Sequence, residues 1–117
     1  MNMSLEYVAK MLDATALRHR VLANNLANVN TPGFVRKDVQ FRQQMAEALA
    51  SGDVSRVRAV QPEVHEDTGA PARPDGNNVS TQRELGEMSE NGLLYQLLTR
   101  SVSGKFAGLH KAIRGRP

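Results

Sequence analysis

Residues 21–34 read Val-Leu-Ala-Asn-Asn-Leu-Ala-Asn-Val-Asn-Thr-Pro-Gly-Phe. An apolar helical spacing runs into asparagines at 24, 25 and 28 and then meets Asn30-Thr31-Pro32-Gly33. Proline biases the residue before it away from helix and glycine permits a positive φ, so a helix has to stop here. Working back from that stop, Leu5, Val8, Leu12, Thr15, His19, Leu22, Leu26 and Val29 follow steps of three and four, a heptad-like seam. The pattern predicts a helix over residues 3–29 capped by Ser4, about 40 Å long at the usual rise per residue. Tyr7, Ala14, Leu17 and Val21 make a second apolar row on another face, and Ala9, Ala16 and Ala23 add a stripe of small side chains. One partner helix would leave the second row wet.

Working forward, Thr81-Gln82-Arg83-Glu84 has the capping-box spacing that satisfies two orphan backbone N–H groups at a helix start. The helix it opens is predicted to run to Ile113 with the seam Met88, Asn91, Tyr95, Leu98, Val102, Phe106, Leu109 and Ile113, a span of roughly 50 Å. Leu93, Leu94 and Leu97 widen its apolar face. Gly86, Gly92, Gly104 and Gly108 each cost up to ~1 kcal/mol relative to alanine in a helix interior, so alone this helix is marginal. Gly104 and Gly108 share a face, which either admits a closely packed neighbour or is merely tolerated.

Between the helices, Phe41, Met45 and Leu49 behind Asp38 predict a short amphipathic helix near 38–50, stopped by Ser51-Gly52. Proline and glycine punctuate Gly69 to Pro74, and Glu63, Glu66 and Asp67 form an acidic cluster, so this stretch is expected to be irregular or disordered. The expected fold is all-α: two long terminal helices packed as an antiparallel coiled-coil-like hairpin, a short helix, and an irregular middle. Both termini then build one domain, with residues 1–33 and 80–117 supplying the helices and 34–79 the connection.

Composition narrows the function. The chain has 117 residues with three Phe, two Tyr, no Trp and no Cys, so the core is thin and aliphatic and no disulfide or thiolate metal site reinforces it. The net charge is +3, and its surplus lies toward the C-terminus at Arg100, Lys105, Lys111, Arg114 and Arg116. Such residues suit an anionic partner, and a basic helical module binding nucleic acid or an anionic membrane surface is the alternative function. They equally suit the negative end of a helix dipole, and the scarcity of aromatic side chains there argues against a single-strand binding groove.

No run reaches the length of a membrane span, and Glu6, Lys10, Asp13, Arg18 and Arg20 rule out a cleavable secretory signal in the first twenty residues. The protein is therefore expected in the cytosol or on an export route that needs no such signal. His19, His65 and His110 lie on three different elements, and His65 with Glu63, Glu66 and Asp67 is the one grouping with metal-ligand chemistry, though it lacks a supporting shell. Nucleophile elbows, phosphate-cradling glycine loops and dinucleotide fingerprints are missing. No catalytic residue, metal, cofactor or small-molecule substrate is expected.

Asn24, Asn25 and Asn28 spread over several faces of the first helix, while Asn91 falls on the second seam. A seam amide penalises registers in which it lacks a partner, and asparagine also closes helix ends well; both readings stand. The stretch Asn24 to Phe34 resembles the N-terminal signature of the bacterial flagellar axial proteins, which build rod, hook and hook-associated structures. Gly76-Asn77-Asn78-Val79, Glu84-Leu85, Met88, Asn91, Leu94-Tyr95-Gln96, Lys105-Phe106, Leu109, Lys111, Ala112 and Ile113 are similar to the short proximal-rod members of the basal-body rod protein family.

That resemblance implies a non-enzymatic structural subunit of the proximal rod, located in the periplasmic part of the flagellar basal body. It would be exported unfolded by the flagellar type III apparatus and would assemble by helix packing. The implied partners are copies of itself, other proximal rod proteins and the adaptor joining rod to membrane ring, with no nucleic acid. The expected assembly interface comprises Leu5, Leu12, Leu22, Asn24, Asn25, Leu26, Asn28, Asn30, Thr31, Pro32, Gly33, Phe34, Asn91, Tyr95, Leu98, Val102, Phe106 and Leu109. Because both helices carry apolar rows that a hairpin leaves wet, the free chain is expected to be mostly unordered and to gain its helices on assembly.

Overall fold

A computed structural model describes the backbone of residues 3–114, and the side chains of residues 4–104, 107 and 108. Helix α1 spans Met3–Ala27, strand β1 Lys37–Gln40, helix α2 Arg42–Ala50, helix α3 Val54–Ala59, strand β2 Glu63–Glu66 and helix α4 Thr81–Arg114. The terminal helices pack antiparallel, as expected: Asn25 reaches Glu84, Arg18 reaches Glu87 and Asn91 reaches back to Thr15. Asn28 closes α1 by donating its side-chain N–H to the Asn24 carbonyl at 2.8 Å, and Gly33 turns the chain away at φ +74°.

The buried strip of α1 is Val8, Met11, Ala14, Thr15, Leu22 and Asn25, while His19 is exposed and Leu12 and Leu26 are half-buried. This strip is the expected seam rotated by part of a turn, because α1 faces two partners at once. On one side lies α4. On the other, β1, α2 and α3 fold back, so that Val39, Phe41, Met45, Ala48 and Val57 form one core with Val8, Met11, Ala14 and Leu98. Tyr7, Leu17 and Val21 pack against that core. The second apolar row is therefore covered within the chain, which corrects the expectation that it would stay wet and removes, for α1, the ground for expecting the free chain to be mostly unordered.

The middle segment is correspondingly more ordered than its low apolar content suggests. β1 and β2 pair antiparallel, with Asp38 opposite His65 and Val39 opposite Val64. Few side chains are needed for this: Val57 is fully buried on α3, the Asp53 carboxylate caps that helix by accepting from Ser55 N–H, and Lys10 Nζ donates to the Val60 carbonyl at 3.0 Å. The expected helix at 38–50 starts only at Arg42, since residues 37–40 belong to the ladder. Its inward face is Phe41, Met45 and Ala48, and Leu49 points out to solvent.

The cap of α4 also falls one residue earlier than the sequence suggests. Ser80 Oγ accepts from Arg83 N–H at 3.3 Å and the Ser80 carbonyl accepts from Glu84 N–H at 2.9 Å. Glu84 does not reach back to the helix start, because its carboxylate is drawn into the interior. At the far end the antiparallel register brings Met3 opposite about Ser103, and α4 continues to Arg114 in a molecule 65 Å long and 14 Å thin. Beyond Val102 the described positions Ser103, Gly104, Ala107 and Gly108 are all exposed. The side chains of Phe106, Leu109 and Ile113, placed on the seam from sequence, lie outside the described residues, as do those of Lys105, Lys111, Arg114 and Arg116.

Two positive-φ glycines bring the connecting loops into contact. Gly33 (φ +74°) follows α1, Gly76 (φ +85°) precedes α4, and a Cβ on Gly76 would stand 3.3 Å from the Gly33 Cα. Gly76→Ala is expected to lower stability by roughly 1–2 kcal/mol for its left-handed backbone alone. Gly69→Ala, whose Cβ would meet the Asp67 carboxylate at an ordinary 3.5 Å, should stay within about 0.5 kcal/mol. Urea melts of the two variants check this contrast.

Candidate functional site

The end of α1, the start of β1 and the approach to α4 converge on a polar junction built by asparagines standing in for backbone. Asn25 is fully buried and pairs with Lys37 as a neighbouring strand would, its Oδ1 accepting from Lys37 N–H at 2.9 Å and its Nδ2 donating to the Lys37 carbonyl at 2.7 Å. The same amide donates to Glu84 Oε2 at 3.1 Å. Asn77 donates to the carbonyls of Asn28 and Thr31 at 2.9 and 2.8 Å and accepts from Val79 N–H. Asn78 accepts from Arg36 N–H at 2.6 Å and donates to the Asp67 carbonyl at 2.7 Å. Arg73 ties the carbonyls of Val79 and Val29, and Gly33 N–H donates to the Asp75 carbonyl. Irregular chain can be buried here because its polar groups find these partners.

At the centre sits Arg36, with no exposed surface. Its Nε donates to Glu84 Oε1 at 2.6 Å, Nη1 to Asp67 at 2.8 Å and Nη2 to Glu87 at 3.0 Å, and Asp38 lies 3.7 Å away. Arg18 donates to Asp38 at 2.9 Å and Glu87 at 3.4 Å, and Arg83 bridges Asp67 and Glu87. Burial alone would pull the Arg36 guanidinium down, but the hydrogen bonds to Glu84 and Asp67 and the Glu84 charge outweigh it and raise its pKa. Burial likewise pushes Asp38 and Asp67 up, and their hydrogen bonds with Arg18 and Arg36 override this, holding both below the usual carboxylate range.

A buried ion left without its partner is expensive. Arg36→Met should therefore lower stability by roughly 3–5 kcal/mol, whereas Arg42→Ala, at an exposed 3.6 Å pair with Glu90, should cost less than about 1 kcal/mol. Because Asp38 and Asp67 have depressed pKa values in the fold, their stabilisation is complete above the unfolded-state pKa and disappears as they protonate. Stability should be flat around neutral pH and fall progressively below about pH 4. Chemical melts across a pH series measure that profile.

The residues expected at an assembly interface divide into groups. Leu22, Asn25, Asn91 and Leu98 are buried within the chain, and Leu5, Leu12, Leu26, Asn28, Phe34 and Val102 are half-buried. Asn24, Asn30, Thr31, Pro32, Gly33 and Tyr95 are exposed. Phe106 and Leu109 carry side chains outside the described residues. Asn28 acts as a helix closer, and its Oδ1 accepts from Thr31 Oγ1 at 3.1 Å.

Among the described residues the most exposed large apolar side chains are on α4, where Leu93 and Leu97 are 63% and 62% exposed and Leu85 and Tyr95 are also uncovered; Leu49 on α2 and Val64 on β2 are exposed as well. On another side of the hairpin, Thr15, Ala16, His19, Asn91, Gly92, Tyr95 and Gln96 line a groove of about 410 Å³. Sequence reading missed Arg36 and the inward role of Glu84; nothing local separates Arg36 from its neighbour Lys37, since the partners lie on other elements. Among the described residues no three His, Asp or Glu side chains are grouped to hold a metal, and no helix is long and apolar enough to cross a membrane.

A hairpin of terminal helices locked by an Asn-Thr-Pro-Gly loop defines a class that comparison with known proteins identifies. Residues 12–34 match the family described as flagella basal body rod protein. The chain is 32% identical to flagellar basal body rod protein FlgB of Aeromonas hydrophila, covering 89% of this chain and 87% of that one. It is 28% identical to FlgB of Borrelia hermsii, covering 96% of both, and 27% identical to FlgB of Escherichia coli K12, covering 95% and 93%. The chain belongs to the FlgB family of flagellar basal-body rod proteins.

Proposed function

We propose that the chain is a non-enzymatic structural subunit of the proximal rod of the flagellar basal body, packing its helices against neighbouring rod subunits. The observation that carries this reading is the nearly end-to-end match to FlgB proteins, in which both chains are covered almost whole. Periplasmic placement, passage through the flagellar type III export apparatus, and contact with an adaptor between rod and membrane ring follow from the same reading. The relatives give no support to binding of nucleic acid or of a membrane surface.

In physical terms the chain divides the work. The junction around Arg36 and Asn25 consumes polar groups inside the chain, while Leu93 and Leu97 leave apolar surface that burial against a neighbour would stabilise. Replacing both leucines with glutamate leaves the core untouched, so the variant should keep its helical signal. It should fail to restore swimming in a cell whose own copy has been deleted, where the unaltered chain succeeds. Normal swimming with the double variant would remove the Leu93–Leu97 face from the assembly surface, and no rescue by the unaltered chain would contradict the rod assignment itself.

A further inference from the structure

Asn91-Gly92 is the one Asn-Gly dipeptide in the chain. With no side chain on the second residue of such a pair, its backbone nitrogen can reach the asparagine side chain and displace the amide. The Gly92 nitrogen bonds to Asn91 Cγ, the Cγ–Nδ2 bond breaks, and ammonia leaves with the proton that Gly92 gives up. Water then opens the cyclic imide at either carbonyl, leaving aspartate or isoaspartate at position 91. Water is the only co-reactant. What the reaction does need is a backbone free to bring those two atoms together.

The fold denies that freedom. Both residues lie inside α4, where ψ is held at about −42° and the Gly92 N–H belongs to the helix ladder. Asn91 is 1% exposed, and its Nδ2 donates to the Thr15 carbonyl at 2.8 Å, so the leaving group is itself held across the hairpin. In an unfolded chain none of these restraints applies. Packing does not demand the glycine either, since a Cβ at 92 would meet nothing within 4 Å and alanine is the better helix former.

The product cannot be seated. A carboxylate at position 91 turns oxygen toward the Thr15 carbonyl in place of an N–H, and its charge is cut off from water. Its second oxygen finds no donor, because Asn91 Oδ1 has no hydrogen-bond partner among the described residues. Glu87 stands one turn earlier, at the spacing where like charges repel. Arg18, one turn along α1 from Thr15, is already bound to Asp38 and Glu87. Isoaspartate adds a methylene to the backbone in the middle of α4 and breaks the helix register.

We propose that Asn91-Gly92 is a self-modification site guarded by the α1–α4 hairpin: a chain held unfolded deamidates there and loses the ability to form the hairpin, whereas a folded chain is preserved. One dipeptide thus sets a chemical lifetime for the unfolded form. The inference is independent of the rod-subunit reading.

For the test, full-length chain is aged at mildly alkaline pH in buffer and in urea, then digested with trypsin. The peptide over residues 84–100 holds Asn91 as its sole asparagine, so fragment-ion mass spectrometry locates the exchange of NH2 for OH and separates it from Gln96. Deamidation is expected in urea and should be at least about tenfold slower in buffer, where it waits on local opening of α4. Gly92→Ala should slow the urea reaction several-fold and raise the melting temperature of the fresh chain. After urea is removed, the unaltered aged chain should regain its helical signal and melting transition only in the unmodified fraction, while Gly92→Ala chain aged alike recovers fully. Equal rates in urea and buffer, an unchanged rate in Gly92→Ala, or modified chain that refolds to the melting temperature of fresh chain would each overturn the proposal.

Discussion

A fully buried arginine must be surrounded by acceptors, and much of this structure follows from supplying them to Arg36. Glu84 comes from the first turn of α4, Glu87 from the next, Asp67 from the loop after β2 and Asp38 from β1. The start of β1, the loop after β2 and the first turns of α4 are thereby fixed around one guanidinium, whose planar fork can serve several carboxylates at once. The loops then have little freedom. Arg36 N–H is held by Asn78 and its carbonyl accepts from Asp67 N–H, so backbone and side chain of one residue anchor the approach to α4 from both sides.

Seen this way, the asparagines have two jobs. Asn25, Asn77 and Asn78 act inside the chain, where each satisfies buried backbone and so permits an irregular junction without unpaired groups. Asn91 is different: its Nδ2 is used by the fold, while its Oδ1 has no hydrogen-bond partner among the described residues. The apolar surface shows the same division: α1 is covered on two sides by α4 and by the middle elements, whereas α4 keeps Leu93 and Leu97 open and runs on beyond its partner. A subunit that is finished on one helix and unfinished on the other is suited to growth by addition.

The parts of this architecture readable from sequence were those set by local periodicity and backbone chemistry. Steps of three and four from Leu5 to Val29 and from Met88 to Val102 gave the hairpin, and Asn30-Thr31-Pro32-Gly33 gave its first stop. What escaped depended on contacts across long separations. Val57 and Met45 are buried only in a core that Val8, Met11 and Ala14 of α1 help to build, with Tyr7, Leu17 and Val21 packed against it, and no window of sequence contains both groups. Glu84 has the spacing of a capping-box glutamate, yet Arg36, forty-eight positions earlier, captures it. Local signals named the residue correctly as important and assigned it the wrong partner.

Amide hydrogen exchange on the dilute, full-length chain tests the central claim most directly, because the junction amides are held by side chains and not by a helix ladder. The account predicts strong protection at Arg36, Lys37 and Val79, whose N–H groups are bound by Asn78, Asn25 and Asn77 respectively, and rapid exchange along α4 beyond Val102. Uniformly fast exchange at those three amides in the unassembled chain would contradict it, since the buried arginine would then organise nothing until neighbours arrive.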